Sequence, residues 1–154
     1  MARFEIRGLD EAIDELARMG QLTGQVADAM LLAGAEEVRK AWTASAQRHG
    51  HIDKGDMISS IGYAGSPRSV SDVRTIDIYP QGKDRRGIRN AEKAFILHYG
   101  TSSIKASAWV DEADRESETT APSAMLAVFD GFIKTGKVPA VGAPGRRAGR
   151  TGGK

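Results

Sequence analysis

The sequence predicts an α+β protein in which a small antiparallel sheet packs against a long N-terminal helix and a C-terminal helix. Strand-like patterns cluster in the middle of the chain, and helical patterns flank them instead of alternating with them as in βαβ units. The 154 residues fit one domain, and 40% hydrophobic but only 6% aromatic residues predict a small aliphatic core. We expect this domain over residues 1–136 and a flexible, basic, Gly/Pro/Arg-rich C-terminal arm over residues 137–154.

The N-terminal part of the chain predicts one strand and two helices. Phe4 and Ile6 alternate with polar residues, which is typical of a short strand over residues 3–7. Asp10 is a candidate N-cap for a helix that ends at Met19. A longer helix follows from residue 23 or 24 to about Arg48. Its apolar stripe consists of Leu22, Val26, Met30, Val38 and Trp42.

The middle of the chain predicts about three strands. Residues 57–63 indicate a short helical turn that enters a strand, and the β-branched segment 70–79 indicates a second strand. Residues 94–99 form the most apolar segment and predict a third strand, which Gly100 ends. The polar and basic residues 80–90 between them predict a long exposed hairpin loop.

The C-terminal part predicts helical structure from Trp109 to Thr135. A first helix runs to about Glu118, and Pro122 either interrupts it or begins a new helix, because proline suits the first turn. An apolar face then continues to Thr135, and Gly136 is the expected cap.

The net charge of +2 conceals an uneven distribution. Five of the 22 Lys and Arg residues lie in residues 137–154 and none of the 20 acidic residues does, which leaves residues 1–136 near −3. The absence of cysteine excludes disulfides, thiolate catalysis and cysteine-based zinc sites. We expect neither a signal peptide nor a membrane-spanning segment, because no apolar run of the necessary length is present.

No pattern in the sequence predicts a catalytic residue, a cofactor site or a metal site. His49 and His51 lie near Asp53, but their spacing does not suit two ligands on one helix face, and we interpret them as a solvated loop. Neighbouring carboxylates at 111–112 and 114–116 indicate a solvated helix face. Neither a phosphate-binding loop nor a nucleophile elbow is present, so we expect a protein without enzymatic activity.

Several segments together resemble the phage tail-component family named after the gp10 protein of phage HK97. Residues 4–10 are similar to its opening strand and glycine, and residues 55–61 are similar to a short segment after its long helix. The most specific likeness is an apolar strand that ends in an aromatic residue, Gly and Thr, here residues 94–101. A helix-starting aromatic residue then follows within residues 106–110. The resemblance covers roughly residues 3–135.

The chain departs from the family pattern at three places. His98 stands where an acidic residue is usual, and Ser107-Ala108 replaces the usual proline before the helix. Glu112-Ala113 occupies the place of a common Pro-Ala step.

The resemblance implies a structural virion protein of a long-tailed bacteriophage. Such proteins form rings, usually six-fold or twelve-fold, at the neck, head–tail joining or tail-completion position, and genomic DNA passes through the ring. The implied partners are copies of the chain and adjacent neck, head-connector or tail-tube proteins, without a membrane or a cofactor. The implied location is the virion, after synthesis in the host cytoplasm.

Two groups of candidate contact residues follow. The candidate subunit interface comprises Phe95, Tyr99, Gly100, Thr101, Trp109, Gly34 and Trp42. The candidate contacts with adjacent rings or DNA are Lys83, Arg85, Arg86, Arg89, Arg146, Arg147 and Arg150. The same basic residues leave an alternative open, a monomeric DNA-associated protein that binds phosphates through its basic loop and arm.

Overall fold

A computed structural model describes residues 2–5, 23–71 and 73–141 of the chain. The strands are β1 (Ala2–Glu5), β2 (Ile61–Tyr63), β3 (Arg68–Val70) and β4 (Val73–Pro80). The helices are α1 (Thr23–Arg48), α2 (Asp56–Ser59), α3 (Asn90–Tyr99) and α4 (Trp109–Thr135). The predicted α+β class is confirmed. No helix in the described ranges combines the length and the apolar character needed to cross a bilayer.

The sheet is antiparallel and is organised around β4. β1 pairs along one edge of β4, with Ala2 opposite Ile78 and Glu5 opposite Thr75. β2 and β3 follow each other along the other edge, where they pair with residues 78–80 and 73–75 of β4. Ile76 and Ile78 of β4 are buried under α1, so the sheet has one covered face.

The two long helices lie antiparallel and pack against each other along most of their length. The buried residues of α4 recur every fourth position: Trp109, Ala113, Ser117, Ala121 and Met125. Small side chains in the middle of this stripe allow the α1 backbone to come close, and alanines such as Ala35 and Ala46 do the same on α1. Helix α1 is therefore held between the sheet and α4.

Two tryptophans join α1 to α4 at one end of the helix pair. The rings of Trp42 and Trp109 are both essentially unexposed, and they meet edge to face with their centroids 5.3 Å apart. Buried Ser45 donates a hydrogen bond of 2.6 Å to the carbonyl oxygen of Trp109. Trp42 Nε1 donates one of 2.9 Å to Asp114 Oδ1. This end of the core is therefore fixed by polar contacts as well as by packing.

A smaller apolar cluster closes the other end of the helix pair. Val26 and Met30 of α1 pack there against Met125 and Phe132 of α4. Helix α4 ends at Gly136, which is left-handed with φ 67° and caps the helix as predicted. The chain then turns back, because Val138 packs on this cluster.

The segment 94–99 is a helix, and its prediction as a strand is wrong. Asn90 and Ala94 are buried four residues apart, whereas Phe95 and Tyr99 are exposed four residues apart, which is the spacing of an amphipathic helix. A short apolar run does not separate a strand from a buried helix by periodicity alone. The helix begins where Asn90 Nδ2 donates to the carbonyl oxygen of Gln81.

The strand predicted over 70–79 is confirmed as β4, which starts three residues later than predicted and pairs with β3 in a hairpin. β3 ends at Val70 and β4 begins at Val73, with Ser71 left-handed at φ 50° in the turn between them. The segment 80–90 was predicted as a hairpin loop, but it does not connect two strands. An isolated bridge joins Lys83 to Arg89, and the loop leads into α3.

Helix α4 is continuous through Pro122, so neither predicted break is present. Pro122 lies on the exposed face, where the carbonyl left without an amide partner faces water, and buried Ala121 and Met125 hold the helix on both sides.

The predictions for residues 57–63 and for α1 are confirmed. The helix predicted over 10–19 and the arm beyond residue 141 lie outside the described residues.

Candidate functional site: an aromatic groove

A groove of about 820 Å³ lies between the end of β4, helix α3 and the first turns of α4. We call it the aromatic groove, because Phe95 and Tyr99 of α3 line it. Its charged lining residues are Lys83, Arg89, Glu92, Asp111 and Asp114, and His98 also faces it. The groove therefore combines aromatic faces with charged groups of both signs.

Phe95 and Tyr99 form an exposed aromatic pair. Their ring centroids are 4.6 Å apart at an interplanar angle of 49°. Phe95 is 63% exposed and Tyr99 is 64% exposed, which makes them the most exposed large hydrophobic side chains in the described ranges. The His98 ring packs edge to face against the Tyr99 ring, with their centroids 4.5 Å apart. Two predicted interface residues are thus adjacent and open to contact.

Gly100 and Thr101, two further predicted interface residues, build the turn that follows α3. Gly100 has φ 77° and ψ 179°, a conformation that essentially only glycine adopts. A Cβ at this position would lie 2.6 Å from both Ala106 N and Ile104 O. The Thr101 amide donates to the Ile104 carbonyl, and Thr101 Oγ1 accepts the Ile104 amide at 3.0 Å. Neither residue lines the groove; both fix the turn that follows α3.

The other predicted interface residues are placed differently. Trp42 and Trp109 are buried at 1% and 0% exposure, so their side chains pack within one chain and do not reach a neighbour. Gly34 is also buried, in the middle of α1. For these three residues the prediction of a surface contact is wrong, because the helix face that carries them forms the core.

The start of α4 is fixed by contacts from α3. The Ser107 hydroxyl donates to the Leu97 carbonyl oxygen at 2.8 Å, and the Val110 amide donates to His98 Nδ1 at 3.4 Å. Ala108 is left-handed at φ 50°, which turns the chain into the helix. These contacts set Asp111 and Asp114 opposite the aromatic pair.

Asp111 and Asp114 form the acidic side of the groove. Asp111 Oδ1 lies 3.7 Å from His98 Nε2, and Asp114 accepts the Trp42 indole N–H. Burial raises the pKa of Asp114, and the hydrogen bond from Trp42 acts in the opposite direction. Among the residues that the structure describes, neither carboxylate lies in an ion pair with a lysine or an arginine.

The predicted basic contacts of the loop lie on or near the opposite side of the groove. Lys83, Arg85, Arg86 and Arg89 are exposed. Arg85 Nε lies 3.1 Å from the carboxylate of Asp56. The remaining predicted contacts, Arg146, Arg147 and Arg150, lie outside the described residues.

Asp84 holds this basic loop in place, a role that the sequence analysis did not assign. Its carboxylate accepts the amides of Arg86 and Ile88 at 2.8 and 2.9 Å and pairs with Lys93 of α3. The hydrogen bond from Lys93, followed by those from the two amides, lowers the pKa of Asp84 to about 2. A sequence signal existed in the aspartate of the Lys-Asp-Arg-Arg-Gly turn, since aspartate favours turn positions.

The histidine segment 49–51 is a turn in which His49 and Gly50 are exposed, as predicted, whereas His51 is half-buried against α4. The rings of His49 and His51 stack with centroids 5.9 Å apart, and His49 Nε2 lies 2.6 Å from Glu112 Oε2. Burial, and next the neighbouring His49, lower the pKa of His51. His51 also meets the Trp109 ring edge to face. The segment therefore covers the start of α4.

A serine–histidine contact here does not have the arrangement of a nucleophile and its base. His51 Nε2 lies 2.8 Å from Ser107 Oγ, but that hydroxyl already donates its only proton to the Leu97 carbonyl. His51 Nε2 is therefore the donor in this contact, whereas a general base would accept. Within residues 2–5, 23–71 and 73–141, no group of three or more His, Asp or Glu side chains is placed to hold a metal ion.

Comparison with known proteins adds no relative to this description. No family model matches the chain, and neither a curated protein nor a solved structure is detectably similar to it.

Proposed function

We propose that this chain is a non-enzymatic structural protein of a long-tailed bacteriophage virion, which assembles with copies of itself into a ring. In this proposal the ring occupies the head–tail neck or the tail-completion position, and genomic DNA passes through it. The observation that carries the proposal is the exposed aromatic pair Phe95–Tyr99 beside the groove.

Two adjacent exposed aromatic rings favour a protein contact. A buried aromatic side chain contributes up to about 3 kcal/mol by the area removed from water, and exposed clusters of such side chains mark interaction sites. Aromatic residues are also enriched at the centres of protein interfaces. The contact between copies would therefore centre on α3 and the turn at Gly100.

The sequence resemblance supports the same proposal. The segment 94–101 carries the most specific part of the likeness to the tail-component family, and the exposed pair lies within it. The ring symmetry, the neighbouring neck or tail-tube proteins and the virion location come from the resemblance.

The proposal is tested by the mass of the purified chain in solution. We expect the mass to rise with concentration from 16.5 kDa towards that of a ring. The double variant Phe95→Ser/Tyr99→Ser should stay monomeric yet folded, because exposed substitutions usually change stability by no more than about 0.5 kcal/mol. Leu126→Ser is the matched control, since Leu126 is 58% exposed on α4 and lies outside the groove.

Two outcomes would contradict the proposal or the contact surface that it names. A wild-type chain that is monomeric at every concentration and absent from purified phage particles would overturn the proposal. Equal loss of assembly in the Leu126→Ser control would place the contact elsewhere on the surface.

A second candidate function follows from the exposed basic loop, which favours a monomeric DNA-associated protein. Lys83, Arg86 and Arg89 are exposed and could contact phosphates. Under this alternative, the wild-type chain binds duplex DNA at low salt and has the mass of a monomer. The triple variant Lys83→Gln/Arg86→Gln/Arg89→Gln should lose the binding and keep that mass. Measuring DNA binding and mass on the same samples distinguishes the two functions.

A further inference from the structure

We infer that the aromatic groove of one copy binds arginine side chains from residues 142–154 of a second copy. We call these residues the distal arm; they contain Arg146, Arg147 and Arg150. The inference rests on the proposed function, because it requires copies of the chain to meet, and it names what fills the groove when they do.

Within the described residues, the acidic side of the groove has His98 as a partner but no lysine or arginine, whereas the neighbouring acidic residues of α4 bind an arginine. Glu112 and Glu116 of α4 both bind Arg48, at 2.7 and 2.5 Å. Asp111 and Asp114 lie on the groove side of the same helix and, in the described part of the chain, face no lysine or arginine within ion-pair distance. Two carboxylates three positions apart repel each other, and an incoming guanidinium relieves that repulsion.

The aromatic pair suits the same ligand. A guanidinium group is planar and weakly hydrated, so it stacks on aromatic rings while its N–H groups bind carboxylates. Phe95 and Tyr99 supply open faces across the groove from Asp111 and Asp114. A lysine would use the charge but not the stacking, and an uncharged peptide would use neither.

The charges on the other side of the groove orient the ligand. Lys83 and Arg89 line that side and repel a cation, which directs it towards α4. The distal arm carries Arg146, Arg147, Arg150 and Lys154 and no acidic residue. Its charge is therefore complementary to the acidic side of the groove.

Chain geometry favours a second copy as the donor of Arg146 and Arg147. Pro139 lies beside Gly131 of α4, with its Cγ 3.2 Å from the position of a Cβ there. Gly131 is 20 positions from Asp111, which is about 30 Å along the helix. The seven residues from Pro139 to Arg146 span at most about 25 Å when fully extended. Arg146 therefore reaches its own groove only when both the arm and its side chain are fully extended, whereas Arg150, with up to about 40 Å of chain from Pro139, reaches it more easily.

Disulfide trapping tests the inference directly, because the chain has no cysteine of its own. The variant Ala91→Cys places a thiol in the groove lining, and Ala148→Cys places one in the distal arm. We expect the mixed and oxidised single-cysteine variants to give a covalent dimer that contains one of each chain. Its yield should exceed that of either variant alone and should fall as salt is raised.

Charge variants show which groups hold the arm. Asp111→Asn/Asp114→Asn in the Ala91→Cys chain should lower the yield roughly tenfold, as expected for the loss of an ion pair and the guanidinium stacking it positions. An amide oxygen at position 114 can still accept the Trp42 N–H, so the fold is retained. The matched control, Glu118→Gln/Asp130→Asn, removes two exposed charges from the same helix outside the groove and should leave the yield unchanged.

Each outcome either supports or overturns the inference. A chain carrying both cysteines that closes an internal disulfide as a monomer overturns it in favour of the chain's own arm. A wild-type chain that assembles in solution while the mixture gives no mixed dimer overturns it and leaves the proposed function intact. A chain that neither assembles nor crosslinks contradicts both.

Discussion

Two of the aromatic pairs in the described residues have opposite surroundings. Trp42 and Trp109 meet at 5.3 Å and are almost completely buried between α1 and α4. Phe95 and Tyr99 meet at 4.6 Å and are each more than 60% exposed on α3. The first pair stabilises the chain by itself, whereas the second leaves apolar area uncovered. In the described residues, one aromatic pair therefore contributes to the core, and the other is left available for contact.

The burial or exposure of each aromatic pair follows from how the helices that carry it pack against the rest of the chain. Helix α1 is covered by the sheet and by α4, so a tryptophan on its inner face is enclosed. Helix α3 buries Asn90 and Ala94 and turns its opposite side outward. The predictions below test whether the two pairs contribute as differently as their surroundings indicate.

The largest expected effect is the truncation of a buried tryptophan. Trp109→Ala should lower the free energy of unfolding by about 3–5 kcal/mol, because it removes a large buried side chain and leaves a cavity between α1 and α4. Urea denaturation followed by circular dichroism measures the change. A loss below about 1 kcal/mol would mean that this pair is not a main part of the core.

The next effect concerns the turn that follows the exposed pair. Gly100→Ala should cost about 2–3 kcal/mol, because its backbone conformation is essentially restricted to glycine and the added Cβ meets two backbone atoms. Gly136→Ala is the control. It also has a positive φ, but its Cβ would meet nothing within 4 Å, so about 1 kcal/mol is expected. Equal losses in the two variants would show that the close approach at Gly100 contributes nothing.

The success of sequence-based prediction also differs between the two regions. Helix α1 was predicted to within a residue, because 26 residues with one apolar stripe define a helical period well. Helix α3 was mistaken for a strand, because its six apolar residues are compatible with either period. Trp42 and Trp109 were expected at a subunit interface, since sequence alone does not show which face of a helix the rest of the chain covers.

The aromatic groove was only partly predictable. Phe95 and Tyr99 were singled out from the segment before Gly100, and they do line the groove. Asp111 and Asp114 were interpreted as a solvated helix face, although Asp114 accepts a hydrogen bond from a core tryptophan. Their place opposite α3 depends on the contacts of Ser107 and His98, which join separate elements and leave no periodic signal.

A smaller effect is expected from the loop that supports α3. The pKa of Asp84 is about 2, below its ordinary value of 3.8, so its ionised form stabilises the fold. This contribution is complete above pH 3.8 and is lost as the pH falls towards 2. Asp84→Asn should remove this part of the acid dependence of unfolding.

The pKa of Asp84 can be measured directly by following its carboxyl chemical shift during an acid titration. Asp130→Asn, which removes an exposed carboxylate from α4, controls for the general effect of charge. A midpoint at or above 3.8 for Asp84 would show that Lys93 and the two amides do not hold its ionised form.

The smallest effect is expected where the aromatic pair is open to solvent. Phe95→Ala should change the free energy of unfolding of the monomer by no more than about 0.5 kcal/mol, because the ring is 63% exposed and little packing is lost. The same urea experiment that reports Trp109→Ala measures it, at a concentration low enough to keep the chain monomeric. A loss comparable to that of Trp109→Ala would mean that the Phe95 ring is covered within one chain. In that case α3 would have no free aromatic face with which to contact a neighbouring copy.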